Sequence, residues 1–312
     1  MNQQVNTREL ILGILLEVNK EGQYSHLGIR STLEKYQYLE KQERAFITRV
    51  CEGTLEYKLR LDYILNRFST VPAEKMKPVI RELLRSSVYQ ILYMDSVPDS
   101  AVCNEAVKLA RKKGFYNLTG FVNGVLRKIA REYGSIRFPG KEEPEEYLSV
   151  IYSMPKWLVQ RFLEQYGFEK TEKMLEAFLK EKPTTIRIRE YLVEKEAVLE
   201  SLKSQKVTVE KAPYVENAYY VKDYDYLPAL DAFRVGSIQV QDVSSMLVAE
   251  VANPQKGDYI IDMCAAPGGK SLHVGDKMGD YGTVDARDVS QYKIDLIEEN
   301  IHRTDSINVQ AH

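Results

Sequence analysis

The stretch GDYIIDMCAAPGGKSLHVGDKMG, residues 257–279, decides how the C-terminal part of this 312-residue chain folds. Its apolar opening predicts a strand over 259–263, its Ala-Pro-Gly-Gly run a turn, and the following periodic residues a helix from about Lys270. The Gly-Lys-Ser at 269–271 imitates a phosphate-binding loop, but Cys264 stands where that loop needs its first glycine to wrap the backbone around phosphate. What remains is a loop whose Gly268 and Gly269 let the backbone approach a ligand beside a helix N-terminus, where the dipole favours a carboxylate. A cofactor that carries an amino acid suits such a site.

The next segment, GTVDARDVSQYKIDLIEENIHR at 282–303, tests that reading. It predicts a strand over 283–287 followed by a helix, and a nucleoside-binding βα unit places a carboxylate at that strand's end for the ribose hydroxyls. Asp288 stands there; Asp285 is its rival, and an unpaired acid on a turn is the plain alternative. Asp262, the glycine turn and Asp288 together point to S-adenosylmethionine, while the residues alone leave a dinucleotide open.

Working outward, the first third of the chain repeats one pattern. Asn6 and Glu9 have capping-box spacing, and Leu10, Ile11, Ile14, Leu15 and Val18 follow on one helical face. Ile80, Leu84, Ile91 and Leu92 form a second stripe. Cys103, Ala106, Val107 and Ala110 form a third behind Asp99 as cap, and Phe121, Val122, Val125, Leu126 and Ile129 a fourth. An all-α bundle over 1–135 is expected, with Cys51 and Cys103 as small core hydrophobes. At 134–147 the run GSIRFPGKEEPEEY breaks the periodicity, so 136–152 reads as a linker. Residues 153–235 then alternate helical and strand patterns and predict a small α+β domain. Its Trp157 and Tyr219, Tyr220, Tyr224 and Tyr226 read as packing rather than as a base-stacking platform. Residues 236–312 hold the start of a Rossmann-like domain.

Charge is unevenly shared. Residues 1–135 carry 21 Lys and Arg against 15 Asp and Glu, a net +6, so the overall −2 leaves −8 for the remainder. Lys108, Arg111, Lys112 and Lys113 gather near one helix end and are the candidate RNA contacts, with a solvated helix end as the plain alternative. LILGILLEV at 10–18 is far shorter than the ~20 apolar residues of a membrane span. The N-terminus lacks a secretory pattern. Three cysteines without a CxxC and four scattered histidines fit a cytoplasmic protein without a bound metal, read here as a monomer.

The motif DMCAAPGGK, preceded by VQDVSS at 240–245, resembles the cofactor loop of the Nol1/Nop2/Sun family of RNA cytosine-C5 methyltransferases. Upstream, ERAFITRVCEGTL at 43–55, LLRSSVYQILYMDSVPDSAVCNEAVKLAR at 83–111 and GFVNGVLRKIARE at 120–132 resemble the NusB-like N-terminal domain of the bacterial Sun/Fmu 16S rRNA methyltransferases. MPKWLVQRFLEQYG and TTIRIRE are similar to the family's intermediate domain, with Arg189 where the family often has Asn. The resemblance implies methyl transfer from S-adenosylmethionine to a cytidine of 16S ribosomal RNA. It places Cys264, Ala265, Ala266, Pro267, Gly268, Gly269 and Lys270 around the cofactor, with Asp288 on its ribose. It also implies two catalytic cysteines, in PCS- and TCS-type motifs well beyond the second Rossmann strand. No cysteine follows Asp288, and SINVQAH at 306–312 reads as the third strand. The two cysteines are therefore expected to lie beyond His312, and no catalytic residue is assigned. The chain is expected to be an inactive fragment of such an enzyme, the alternative being a non-catalytic RNA-binding module left by gene truncation.

Overall fold

The computed structural model describes residues 5–180, 182–279 and 281–312, which divide into two compact units at 180/181. The first unit is helical: α1 (Thr7–Glu21), α2 (Ser25–Lys35), α3 (Lys41–Glu56), α4 (Lys58–Phe68), α5 (Pro78–Tyr93), α6 (Asp99–Lys112), α7 (Thr119–Glu132), α8 (Pro144–Ile151) and α9 (Lys156–Phe178). Helix α5 runs through its centre, with Leu84 and Val88 fully buried against residues such as Leu15, Ile47, Leu65 and Leu126. Gly53 on α3 allows that approach, because a Cβ there would lie 2.0 Å from the Tyr89 ring.

Polar groups on α5 are buried as well, and they are paired. Glu82, 0% exposed, accepts from Arg85, Arg81 and Asn19, while Arg85 clasps both oxygens of Asp62 at 2.7 and 2.6 Å. A buried carboxylate is tolerated only with such a set of donors.

Asn6 caps α1 through the Glu9 N–H, as its spacing predicts. Asp99 does not cap α6: the helix begins at Asp99 and Pro98 precedes it, so the carboxylate contributes first-turn charge instead. The stretch read as a linker contains α8, whose Leu148 is buried with Val159 and Leu175 of α9. The glutamates and Pro144 that disguised it occupy the first turn, where both are favourable. Helix α9 is interrupted at Gly167 (φ 72°, ψ 174°), which separates the two helices expected there.

The second unit has two sheets. β1 (Thr184–Ile188), β2 (Thr208–Lys211), β3 (Ala218–Lys222) and β4 (Ile238–Val240) pair antiparallel in the order β2-β3-β1-β4, with α10 (Lys195–Ser204) and α11 (Asp231–Arg234) packed through Val198, Leu202 and Ala232. After α12 (Val243–Ala252), β5 (Tyr259–Asp262), β6 (Thr283–Ala286) and β7 (Val309–Ala311) pair parallel in sequence order through α13 (Gly269–Met278) and α14 (Gln291–Thr304). Val284, Ala286 and Val309 are buried against Leu272, Met278 and Ile297 of these helices. On the opposite face Tyr259 and Ile261 stay 64% and 48% exposed.

Candidate cofactor site

Parallel strands end together, so whatever follows β5 and β6 is brought side by side. The loop after β5 is tied to β6 by backbone: Arg287 N–H donates to Asp262 O at 2.8 Å and Ala265 N–H to Arg287 O at 2.9 Å. Asp288 completes the tie by accepting the Ala266 N–H at 3.0 Å, and its other oxygen takes Val289 N–H at 2.8 Å and Lys293 Nζ at 2.9 Å. Lys293 first, then the two backbone N–H groups, hold the Asp288 carboxyl below its usual range. Asp262 anchors the loop from within, accepting Ser271 Oγ at 2.7 Å and Cys264 N–H at 3.3 Å.

The rival acid points elsewhere. Side chains alternate along β6, so Asp285 lies on the face away from α13 and α14, where it accepts from Tyr259 OH at 3.0 Å and Arg287. Only Asp288 shares the loop's side of the sheet end. His312 contributes its backbone to this sheet end. Its N–H donates to Ala286 O at 2.9 Å and its carbonyl accepts Asp288 N–H at 3.3 Å, which continues the β6–β7 ladder. The exposed His312 ring sits with Nε2 3.9 Å from Asp285, the acid on the face away from the helices, so it takes no part in the loop.

Gly268 has φ 99°, a left-handed conformation that begins α13 and favours glycine. A Cβ there would rest at an ordinary 3.5 Å from Ile297, so within the protein it is the positive φ and not crowding that favours glycine. Pro267, Lys270 and Cys264 are exposed, Ala265 is buried, and Gly269 and Ala266 are half-buried. Cys51 and Cys103 are buried in the helical unit, where burial pushes both thiols up.

Sequence reasoning missed the side chains that hold α13 in place. Arg187 and Arg189 of β1's strand line, 1% and 2% exposed, both reach Asp276 in the third turn of α13, at 2.7 Å each. Arg189 also donates to Gly236 O at 3.1 Å, Thr304 O at 2.6 Å and Ser306 Oγ at 3.0 Å. One guanidinium thus joins β1, the approach to β4, the end of α14 and α13. Arg189, which stands where the family often has Asn, is the centre of a buried network.

Beside it lies His273 of α13, 2% exposed, with Nε2 3.3 Å from Glu250. Burial first, then Arg187 and Lys277, push its pKa down to about 3 from 6.5. The unfolded chain therefore binds the proton that the folded chain refuses, so this group's contribution falls as pH drops from about 6.5 toward 3. Urea midpoints should decline through that window by on the order of a few kcal/mol in stability. The decline should flatten in His273→Gln; an identical decline in that variant would remove His273 as the cause.

A glycine loop across the carboxyl ends of parallel strands, with an acid two residues beyond the second strand, is the arrangement of a Rossmann-like α/β unit. Residues 5–131 match the NusB family, 154–224 the RsmF/B-like methyltransferase ferredoxin-like domain, and 249–311 the family of the 16S rRNA methyltransferase RsmB/F. The chain is 35% identical over 300 residues to the probable ribosomal RNA small subunit methyltransferase B of Bacillus subtilis, covering 96% of this chain and 66% of that protein. It is 31% identical over 287 residues to the probable protein of the same name from Synechocystis, covering 91% and 64%. The chain therefore spans just under two thirds of the length of these relatives. It also shares its fold with the crystal structure of PH0851, at TM-score 0.78 and 21% identity over 100% of this chain and 70% of that one. The chain belongs to the RsmB/F methyltransferase family. Among the described residues no helix is long and apolar enough to cross a membrane.

Proposed function

We propose that this chain forms the cofactor-holding part of an enzyme that methylates C5 of a cytidine in 16S ribosomal RNA. The observation that carries the reading is the tie between the 264–270 loop and the residues just beyond β6, made by the Ala265 N–H on Arg287 O and the Ala266 N–H on the Asp288 carboxylate. The residues fit S-adenosylmethionine. The first turn of α13 offers backbone N–H groups and a positive dipole end to a carboxylate; the Asp288 carboxylate, already taken up by Ala266, Val289 and Lys293, would reach ribose hydroxyls by exchanging one of these donors. When bound, S-adenosylmethionine supplies the electrophilic methyl group. In this reading Cys264, Ala265, Ala266, Pro267, Gly268, Gly269 and Lys270 shape the methionine end. Asp288 orients the nucleoside end and keeps the loop closed on β6. Cys264 donates its N–H to Asp262 within the loop, and no catalytic residue is assigned to this chain.

RNA is the proposed partner of the helical unit through Lys108, Arg111, Lys112 and Lys113, all exposed. The structure narrows what each contributes. Lys112 and Lys113 both grip Glu9 of α1, at 2.6 and 2.8 Å, and Lys108 lies 2.8 Å from Glu105. Arg111 alone of the four has no carboxylate partner among the described residues. The same reading takes the protein as a cytoplasmic monomer that needs no metal ion.

Incubation with 16S ribosomal RNA and methyl-labelled S-adenosylmethionine tests the function, with the longer relative from Bacillus subtilis as a positive control. The chain as it stands is expected to bind the cofactor weakly and to leave the RNA unlabelled, whereas the control should yield label in 5-methylcytidine. Label in another nucleoside of the control would overturn the C5 reading. Label in 5-methylcytidine from this chain alone would overturn its assignment as a cofactor-holding part.

A further inference from the structure

We propose that the groove between α6 and α7 is an RNA-binding site that seats one phosphate–ribose step, Arg127 meeting the phosphate and Asn104 and Asn123 the ribose hydroxyl. This rests on the reading of RNA as the helical unit's partner and gives that partner a seat that shares only Lys108 with the cation cluster at the end of α6. The groove has a volume of about 440 Å³, and Asn104, Lys108, Thr119, Gly120, Asn123 and Arg127 line it. No carboxylate is among its lining residues.

Its side chains are free to take a ligand. Arg127 is exposed and has no carboxylate within ion-pair distance among the described residues, unlike Lys108, which Glu105 holds at 2.8 Å. Asn104 and Asn123 make no side-chain hydrogen bond among the described residues. Thr119 gives its proton to Tyr116 O at 2.8 Å and keeps its oxygen as an acceptor. At Gly120 a Cβ would meet nothing within 4 Å, so the groove is open where α7 begins.

The chemistry of this lining favours RNA over an acidic protein segment. A guanidinium matches a phosphate bidentately and keeps its charge. A carboxamide both donates and accepts, as a ribose 2′-hydroxyl does, whereas a carboxylate uses donors only. A lining with one unpaired guanidinium and two carboxamides answers one phosphate and one hydroxyl-bearing sugar.

The experiment uses the full chain, with a short fluorescein-labelled single-stranded RNA of mixed sequence, the DNA of the same sequence, and labelled polyglutamate as probes. Gly120→Leu should weaken RNA binding about tenfold or more by filling the groove, with the thermal midpoint kept because open space receives the side chain. Arg127→Ala should weaken RNA binding and lower the slope of log affinity against log salt by roughly 0.7, the contribution of one phosphate on a single strand. RNA should bind several-fold more tightly than DNA, and Gly120→Leu should narrow that difference. Loss of RNA binding in Arg111→Glu with both groove variants unchanged would overturn the groove and leave RNA as partner. Wild-type chain that binds no RNA would overturn the partner itself. Polyglutamate binding that displaces RNA and disappears in Gly120→Leu would reassign the groove to an acidic protein.

Discussion

Asp276→Ala is expected to destabilise the second unit by roughly 3–5 kcal/mol, the cost of removing one partner from a buried ion pair. Arg187 and Arg189 are almost completely buried and lose the carboxylate they share, so two neighbouring guanidiniums would be left without their common ion-pair partner. Urea unfolding followed by hydrogen exchange separates the two units: amides of α13 and β1 should lose protection while those of α5 keep it. Asp276→Asn should fall between, since the carboxamide retains an acceptor but not the charge. A midpoint unchanged in Asp276→Ala would show that the network is not coupled to folding.

Asp288→Ala should lower the affinity for S-adenosylmethionine roughly ten- to a hundredfold, the scale of losing charge-assisted hydrogen bonds. The structure adds a second reason beyond the ribose. Asp288 also takes the Ala266 N–H, so its removal releases the loop that shapes the methionine end. Asp285→Ala, on the opposite face, should leave affinity close to wild type. Calorimetric titration of both substitutions, made in the complete enzyme of which this chain is proposed to be the cofactor-holding part, checks this, and a crippled Asp285→Ala beside a normal Asp288→Ala would reverse the assignment of the two acids.

Much of this arrangement was legible in the sequence because its signals are local. A strand, a glycine turn and a helix follow one another in 257–279, and the acid after β6 comes only two residues beyond the strand. The stripes of α1 and α7 are equally readable, since Ile11, Ile14 and Leu15, like Val122, Leu126 and Ile129, are buried as their spacing requires. The Asp276 network was not legible. Arg187 and Arg189 sit in an alternating strand pattern, and nothing near them announces a carboxylate 87 residues away from Arg189. The partition of the four α6 cations was hidden for the same reason: Glu9 lies 103 residues before Lys112. Charge clusters are visible along a chain, but their neutralisation depends on tertiary contacts.

The reach of Arg189 also bears on how this chain can be recombined with its relatives. A sequence-based design would cut near residue 235, treating the antiparallel sheet and the parallel sheet as exchangeable modules. Yet β4, beyond that cut, pairs with β1, and Arg189 binds Gly236, Asp276, Thr304 and Ser306, all on the far side. A hybrid spliced there inherits a guanidinium from one parent and its acceptors from the other, and it must match them at every position to bury the charge. A splice at 180/181 follows the division between compact units and keeps donor and acceptors in one inheritance. Residues 181–312 are therefore a piece that can be transplanted without separating Arg189 from its acceptors.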